Sequence, residues 1–98
     1  MPYIKQEFRD FLESSLEELI RNIEFLISTR DSGNKLKSGV ITYVVYRLIN
    51  DLYNKNCGQI SYDVLSDAIK VLECTKLEFY RRIIASYETT KQEENGDI

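Results

Sequence analysis

Between Tyr62 and Tyr87 there is no glycine or proline, and this uninterrupted stretch limits the possible folds more than any other feature of the chain. Within it Leu65, Ile69, Leu72, Phe79 or Tyr80, Ile83 and Tyr87 recur at helical spacing. Ser61 suits the N-cap, and Asp63 follows at the positive end of the helix dipole. A helix over 62–87 would be about 39 Å long at ~1.5 Å per residue. A compact chain of 98 residues has a radius of gyration of only about 13 Å. Such a helix either kinks near residues 73–75 or projects and pairs with a second subunit. This mismatch predicts a homo-oligomer, which would also help so short a chain bury a sufficient core.

The rest of the chain supplies two more helices. Phe8, Leu12, Leu16, Leu19, Ile23 and Leu26 step by three and four, predicting a helix over 6–28 behind a short extended lead at 1–5. Phe11, Ile20, Phe25 and Ile27 widen that stripe, which implies more than one neighbour. Residues 29–39 hold two glycines, two serines and an asparagine, and predict a loop. Its length exceeds the ~2–8 residues usual between bundle helices, and its composition fits a mobile segment. A second helix is predicted over 40–55, with Ile41, Val44, Val45, Leu48, Ile49 and Leu52 on its core face. The run 40–46 also has strand propensity, being β-branched and aromatic, but the 3–4 spacing continues to Leu52 and favours helix. The asparagines near Gly58 suit a left-handed helix end. The polar tail at 89–98 should fray. The expectation is a single all-α domain over 1–98, a three-helix antiparallel bundle with a long third helix that takes part in an oligomer.

Charge and cysteine usage narrow the partners. The net charge of −3 gives no reason to expect general nucleic-acid binding, which rests on many phosphate contacts. The charge is uneven: six acids fall between Glu7 and Glu24, whereas 29–58 carries five bases against Asp31 and Asp51. Opposite charges of this kind attract within or between subunits, or simply line solvated helix faces. Cys57 and Cys74 make no CxxC pair and no disulfide framework. No run approaches the ~18–20 apolar residues that span a bilayer, and the N-terminus has no apolar signal core. A cytoplasmic protein with reduced thiols and no membrane association is expected.

The chain has no histidine, which removes the commonest general base and the commonest zinc ligand. No phosphate-loop, dinucleotide, nucleophile-elbow or zinc-helix motif is present. Carboxylates remain. Glu7, Asp10 and Glu13 share a helix face, and Glu7 and Asp10 with Glu73 suggest a magnesium-dependent nucleotide hydrolase. The second acidic pair that all-α pyrophosphohydrolases use is missing, since Glu73 and Glu78 lie about 140° apart around a helix. The reading preferred here has no catalytic residue, no metal and no cofactor.

Seven tyrosines without a tryptophan are more suggestive. Tyr43, Tyr46 and Arg47 lie close together on the second helix, and Tyr80, Arg81 and Arg82 on the third, with Tyr87 two turns on. If these helices pack side by side, Arg47, Tyr80, Arg81, Arg82 and Tyr87 could line one ligand-binding cleft. Arginine would hold a phosphate or carboxylate and tyrosine would stack on a base. The plainer alternative is an ordinary ion pair from Glu78 to Arg82 and tyrosines half-buried with their hydroxyls in water.

The segment 72–82, reading LECTKLEFYRR, with Tyr87-Glu88, Lys91 and Glu94-Asn95-Gly96-Asp97, resembles the C-terminal signature of a family of small uncharacterised phage and prophage proteins. The family pattern is roughly LEC-x-KLEFYRR, then PYE-x-x-K, then ENGD. Tyr3-Ile4 and the segment 39–49 resemble its N-terminal and middle blocks. Ser86 stands where the family has proline, and Ile41-Thr42 replaces a Leu-Asn pair, so a helix break before Tyr87 is lost. The resemblance implies a phage-type accessory protein in the bacterial cytoplasm. Together these features suggest a non-enzymatic homo-oligomer that binds a host protein or sequesters a small anionic, nucleotide-like ligand, as a counter-defence factor would. A nucleotide hydrolase and a purely structural oligomer remain as alternatives.

Overall fold

A computed structural model describes residues 3–30, 35–55 and 58–96. Every regular element among them is helical. Helix α1 spans Gln6–Arg30; its first turn carries Glu7 and its last Arg30, both signs matching the helix dipole. The lead anchors that helix, since the Lys5 carbonyl accepts from the N–H groups of Phe8 and Arg9 at 3.0 and 3.2 Å. Helix α2 spans Lys35–Asn50 and widens into a π-helical turn over Asp51–Lys55. The third rod is made of α3 (Tyr62–Phe79), a second π-helical turn (Tyr80–Ile84) and α4 (Ala85–Asn95). Ser61 caps α3 as the sequence predicts. Its backbone is extended, and its Oγ accepts from the Val64 N–H at 3.3 Å. Gly96, at φ 85°, ends the rod where a side chain would be strained, and its N–H bonds to the Gln92 carbonyl at 2.8 Å.

The all-α class, the three helices and the long third one agree with the sequence. Three local expectations need correction. The predicted loop at 29–39 is helical at both ends: α1 runs on through Thr29 and Arg30, and α2 begins at Lys35. Only 31–34 lies outside the described residues, and the mobility expected of the loop falls there. The Thr29 hydroxyl bonds the Phe25 carbonyl at 2.8 Å, while Lys35, Leu36 and Lys37 are good helix formers. Gly39 is carried inside α2 with open space where a Cβ would stand.

The tail expected to fray is helical to Asn95. Extending a formed helix needs no new nucleus, and Thr89 and Thr90 bond back to the carbonyls of Ala85 and Ser86 at 3.0 and 3.1 Å. The third rod does not break at 73–75. Its irregularity is the π-helical turn at Tyr80–Ile84, where the Ala85 N–H reaches the Tyr80 carbonyl five residues back. With serine at 86, the helix continues through that position.

The interior is sparse. The rods meet mainly at three places. Ile23 and Ile27 of α1 face Lys37 and Ile41 of α2. The Tyr53 hydroxyl donates to Asp67 at 2.9 Å, joining the end of α2 to the start of α3. Tyr3 of the lead touches the third rod at Glu78. Ala68, 5 % exposed, is the one buried residue among those described. The stripes predicted to be buried stay open within a single chain: Phe11 is 85 % exposed, Phe25 70 % and Ile69 67 %. The radius of gyration is 17.3 Å and the extents 53 × 35 × 28 Å, against the ~13 Å of a compact chain this long. Among the described residues no helix is long and apolar enough to cross a membrane.

Candidate functional site

The densest polar cluster forms where the N-terminal lead crosses the π-helical turn. Glu78, on the last turn of α3, points along its own helix toward residues three and four ahead. Arg81 Nη2 and Arg82 Nε both donate to Glu78 Oε1 in close ion pairs. The Tyr3 hydroxyl donates to the same oxygen at 3.2 Å and lies 3.3 Å from Arg81 Nη2, whose N–H it accepts. The Arg82 guanidinium sits over the Tyr3 ring, 5.7 Å from its centroid. Arg82 first, and Arg81 next, hold the Glu78 carboxyl down to about 2. Two guanidiniums around one carboxylate leave the clasp with a net positive charge, at the surface and within reach of an anionic partner.

The other predicted residues sit elsewhere. The Tyr80 hydroxyl donates to Glu88 Oε2 at 3.1 Å, spanning the π-helical turn, and that carboxylate pushes the phenol up. Tyr87 stacks under Lys91, 5.6 Å from its ring centroid. Tyr87 and Lys91 line an open cleft of about 430 Å³ near the end of α4. Arg82 lines a different one, of about 340 Å³, with Thr75, Glu78, Phe79 and Ile83.

Arg47 belongs to a separate cluster on α2. Its Nη1 donates to the Tyr43 hydroxyl at 2.9 Å, and its Nη2 to Asp51 Oδ2 at 3.1 Å. The Arg47 hydrogen bond lowers the Asp51 carboxyl. Asp51 Oδ1 is buried with no hydrogen-bond partner among the described residues. No hydrogen bond, ion pair or ring contact among the described residues joins Arg47 to Tyr80, Arg81, Arg82 or Tyr87. The five residues therefore form four groups, and only Arg81 and Arg82 share one.

Sequence reasoning missed Tyr3, which lies 75 residues from Glu78 along the chain. A lead of five residues carries no periodicity that could have flagged it. Glu78 was legible only as half of an i,i+4 pair. The carboxylates of the hydrolase alternative are not gathered. Asp10 accepts from Gln6 at 2.8 Å and Glu73 pairs with Lys76 at 3.3 Å. No three acidic or cysteine side chains among the described residues are grouped to hold a metal ion. Cys74 is half-buried on α3, and Cys57 lies outside the described residues.

No curated protein and no solved structure matches the chain. One family model, described as a domain of unknown function (DUF6899), matches residues 1–98. That family is uncharacterised, in keeping with the resemblance carried by the C-terminal segment. Over its whole length, this chain belongs to the DUF6899 family.

Proposed function

We propose that this protein is a non-enzymatic, phage-type accessory protein that self-associates and acts by occupying a partner protein in the bacterial cytoplasm. The observation that carries this reading is the amount of surface without a neighbour, which includes large apolar side chains such as Phe11, Phe25 and Ile69. A folded chain of 11.5 kDa exposes about 5,800 Å² on the usual size scaling. This one exposes 8713 Å². Surface of that extent on helices is what association faces are made of. The arginines point the same way. Arg47, Arg81 and Arg82 already bond carboxylates of their own helices, so a small anion would have to compete with Asp51 or Glu78. A partner's acidic side chain meets the same competition but brings apolar surface that can cover the open helix faces, which a small anion does not. The C-terminal LECTKLEFYRR segment, through its resemblance to phage and prophage proteins, supports the phage-type context, in which a counter-defence factor would act by such binding.

Native mass spectrometry of protein purified from a bacterial host tests this. It should show an oligomer carrying a host protein and no nucleotide-sized mass. Changing Arg81→Ala and Arg82→Ala together should release that host protein while helical content is kept. A co-purified small anion lost in the same variant would instead establish ligand sequestration at the clasp.

A further inference from the structure

The helical hairpin of α1 and α2 carries a face that is complementary to itself. Between the two helices lies a cleft of about 450 Å³. Its walls are Ile20, Ile23, Ile27 and Ile41, and its polar rim includes Glu24 on α1 and Lys37 on α2. Along α1 the cleft continues into a row of half-exposed apolar side chains, Phe8, Leu12 and Leu16, in steps of four. Beyond Ile41, Leu48 of α2 and Leu52 of the π-helical turn after it are exposed as well, while Val45 lines a separate cleft with Leu72 of α3.

The two helices also differ in charge. Helix α1 carries six acids against three bases, a net −3, whereas residues 35–55 carry four bases against Asp51, a net +3. Little of this charge is used inside the chain. Every ion pair among the described residues lies within one rod, between residues three or four apart. None involves Glu13, Glu17, Glu18 or Glu24 of α1, or Lys35 or Lys37 of α2.

We infer that a second copy of this chain covers this face, with α1 of each copy lying on α2 of the other across a two-fold axis. The inference rests on the self-association proposed above and names its surface. An isologous contact requires a patch that fits its own image. A cleft with an acid on one wall and a base on the other satisfies that, because a half-turn brings Glu24 of one copy to Lys37 of its partner and the reverse. The area also agrees. The excess over a compact chain is about 2,900 Å², of which the projecting α4 takes a share. Obligate dimers bury about 1,000–2,500 Å² on each partner. Closing the four helices would place the isoleucines in one apolar layer between two rows of opposite charge.

Charge reversal tests the pairing. Glu24→Lys and Lys37→Glu are made separately, and one of the two proteins is labelled with ¹⁵N so that native mass spectrometry separates the species. Each variant alone sets like charges together at both ends of the two-fold, so its dimer should dissociate about tenfold more readily than wild type. The mixture should form a heterodimer in preference to either homodimer. In that heterodimer both interchain pairs are opposite in sign, while within each chain positions 24 and 37 still carry like charges. Rescue in the mixture therefore cannot arise within a chain, and it is required even if a single variant folds poorly alone. Variants that dimerise as tightly as wild type, or a mixture without heterodimer preference, would overturn this face while leaving self-association standing. A wild-type chain that is monomeric at micromolar concentration would overturn both.

Discussion

Glu78 gathers three side-chain partners, Tyr3, Arg81 and Arg82, and its ionisation sets the pH range over which the N-terminal lead stays docked. Its carboxyl is held at about 2, below its ordinary 4.5, by Arg82 and then Arg81. A lowered carboxyl stabilises the folded form wherever the unfolded one would already be ionised. The clasp is therefore fully formed above the ordinary carboxylate range and is lost as pH falls from there through about 2. A ¹³C titration of the Glu78 carboxyl should give a midpoint near 2, and one near 4.5 would mean that the clasp does not form in solution. Because these side chains face water, salt should loosen the contact. Gly39 offers a second test at this scale. It lies inside α2 with nothing within 4 Å of the place an alanine methyl would take, so Gly39→Ala should raise stability by about 0.5–1 kcal/mol. A lower denaturation midpoint would mean that this segment is not helical.

At the scale of elements, the sequence was legible where a periodic pattern ran unbroken and misleading where single residues were read as punctuation. The stripes of α1, α2 and α3 gave the three helices and their type, and Ser61 gave a true N-cap. Glycine and serine at 38–39 suggested a loop, yet the helix formers around them outweigh the cost of one glycine. The π-helical turns had no sequence signal, since one extra residue in a turn leaves the 3–4 pattern almost intact. The candidate site was half legible: Arg81 and Arg82 follow from local spacing, but Tyr3 reaches them only through the tertiary fold. Ser86 is the position that decides the length of the third rod. Ser86→Pro removes a helix hydrogen bond and crowds the carbonyl one turn back, at a cost of about 3 kcal/mol in a helix interior. The eleven residues of α4 should then lose protection in hydrogen exchange, with the Tyr80–Glu88 bond broken, while α1 and α2 keep theirs. Unchanged protection over 85–95 would show that the turn absorbs the proline.

For the molecule as a whole, the predicted helices were right and the predicted burial was not, because periodicity reveals which face is apolar but not which chain covers it. Phe11, Phe25 and Ile69 satisfy every rule for core residues and remain exposed in one chain. If copies of the chain supply the missing neighbours, the melting temperature should rise with protein concentration, as mass action requires of a folded dimer in equilibrium with unfolded monomer. A melting temperature independent of concentration over a hundredfold range would argue for a chain that is stable alone.

A single buried alanine has a consequence in the cell. With almost no interior among the described residues, a single copy has little to protect it from proteases. If copies cover one another's open faces, newly made copies that stay dilute would be cleared and copies that accumulate would shelter one another. Abundance would then act as a threshold, turning a gradual rise in synthesis into an abrupt appearance of the working form, with no effector required.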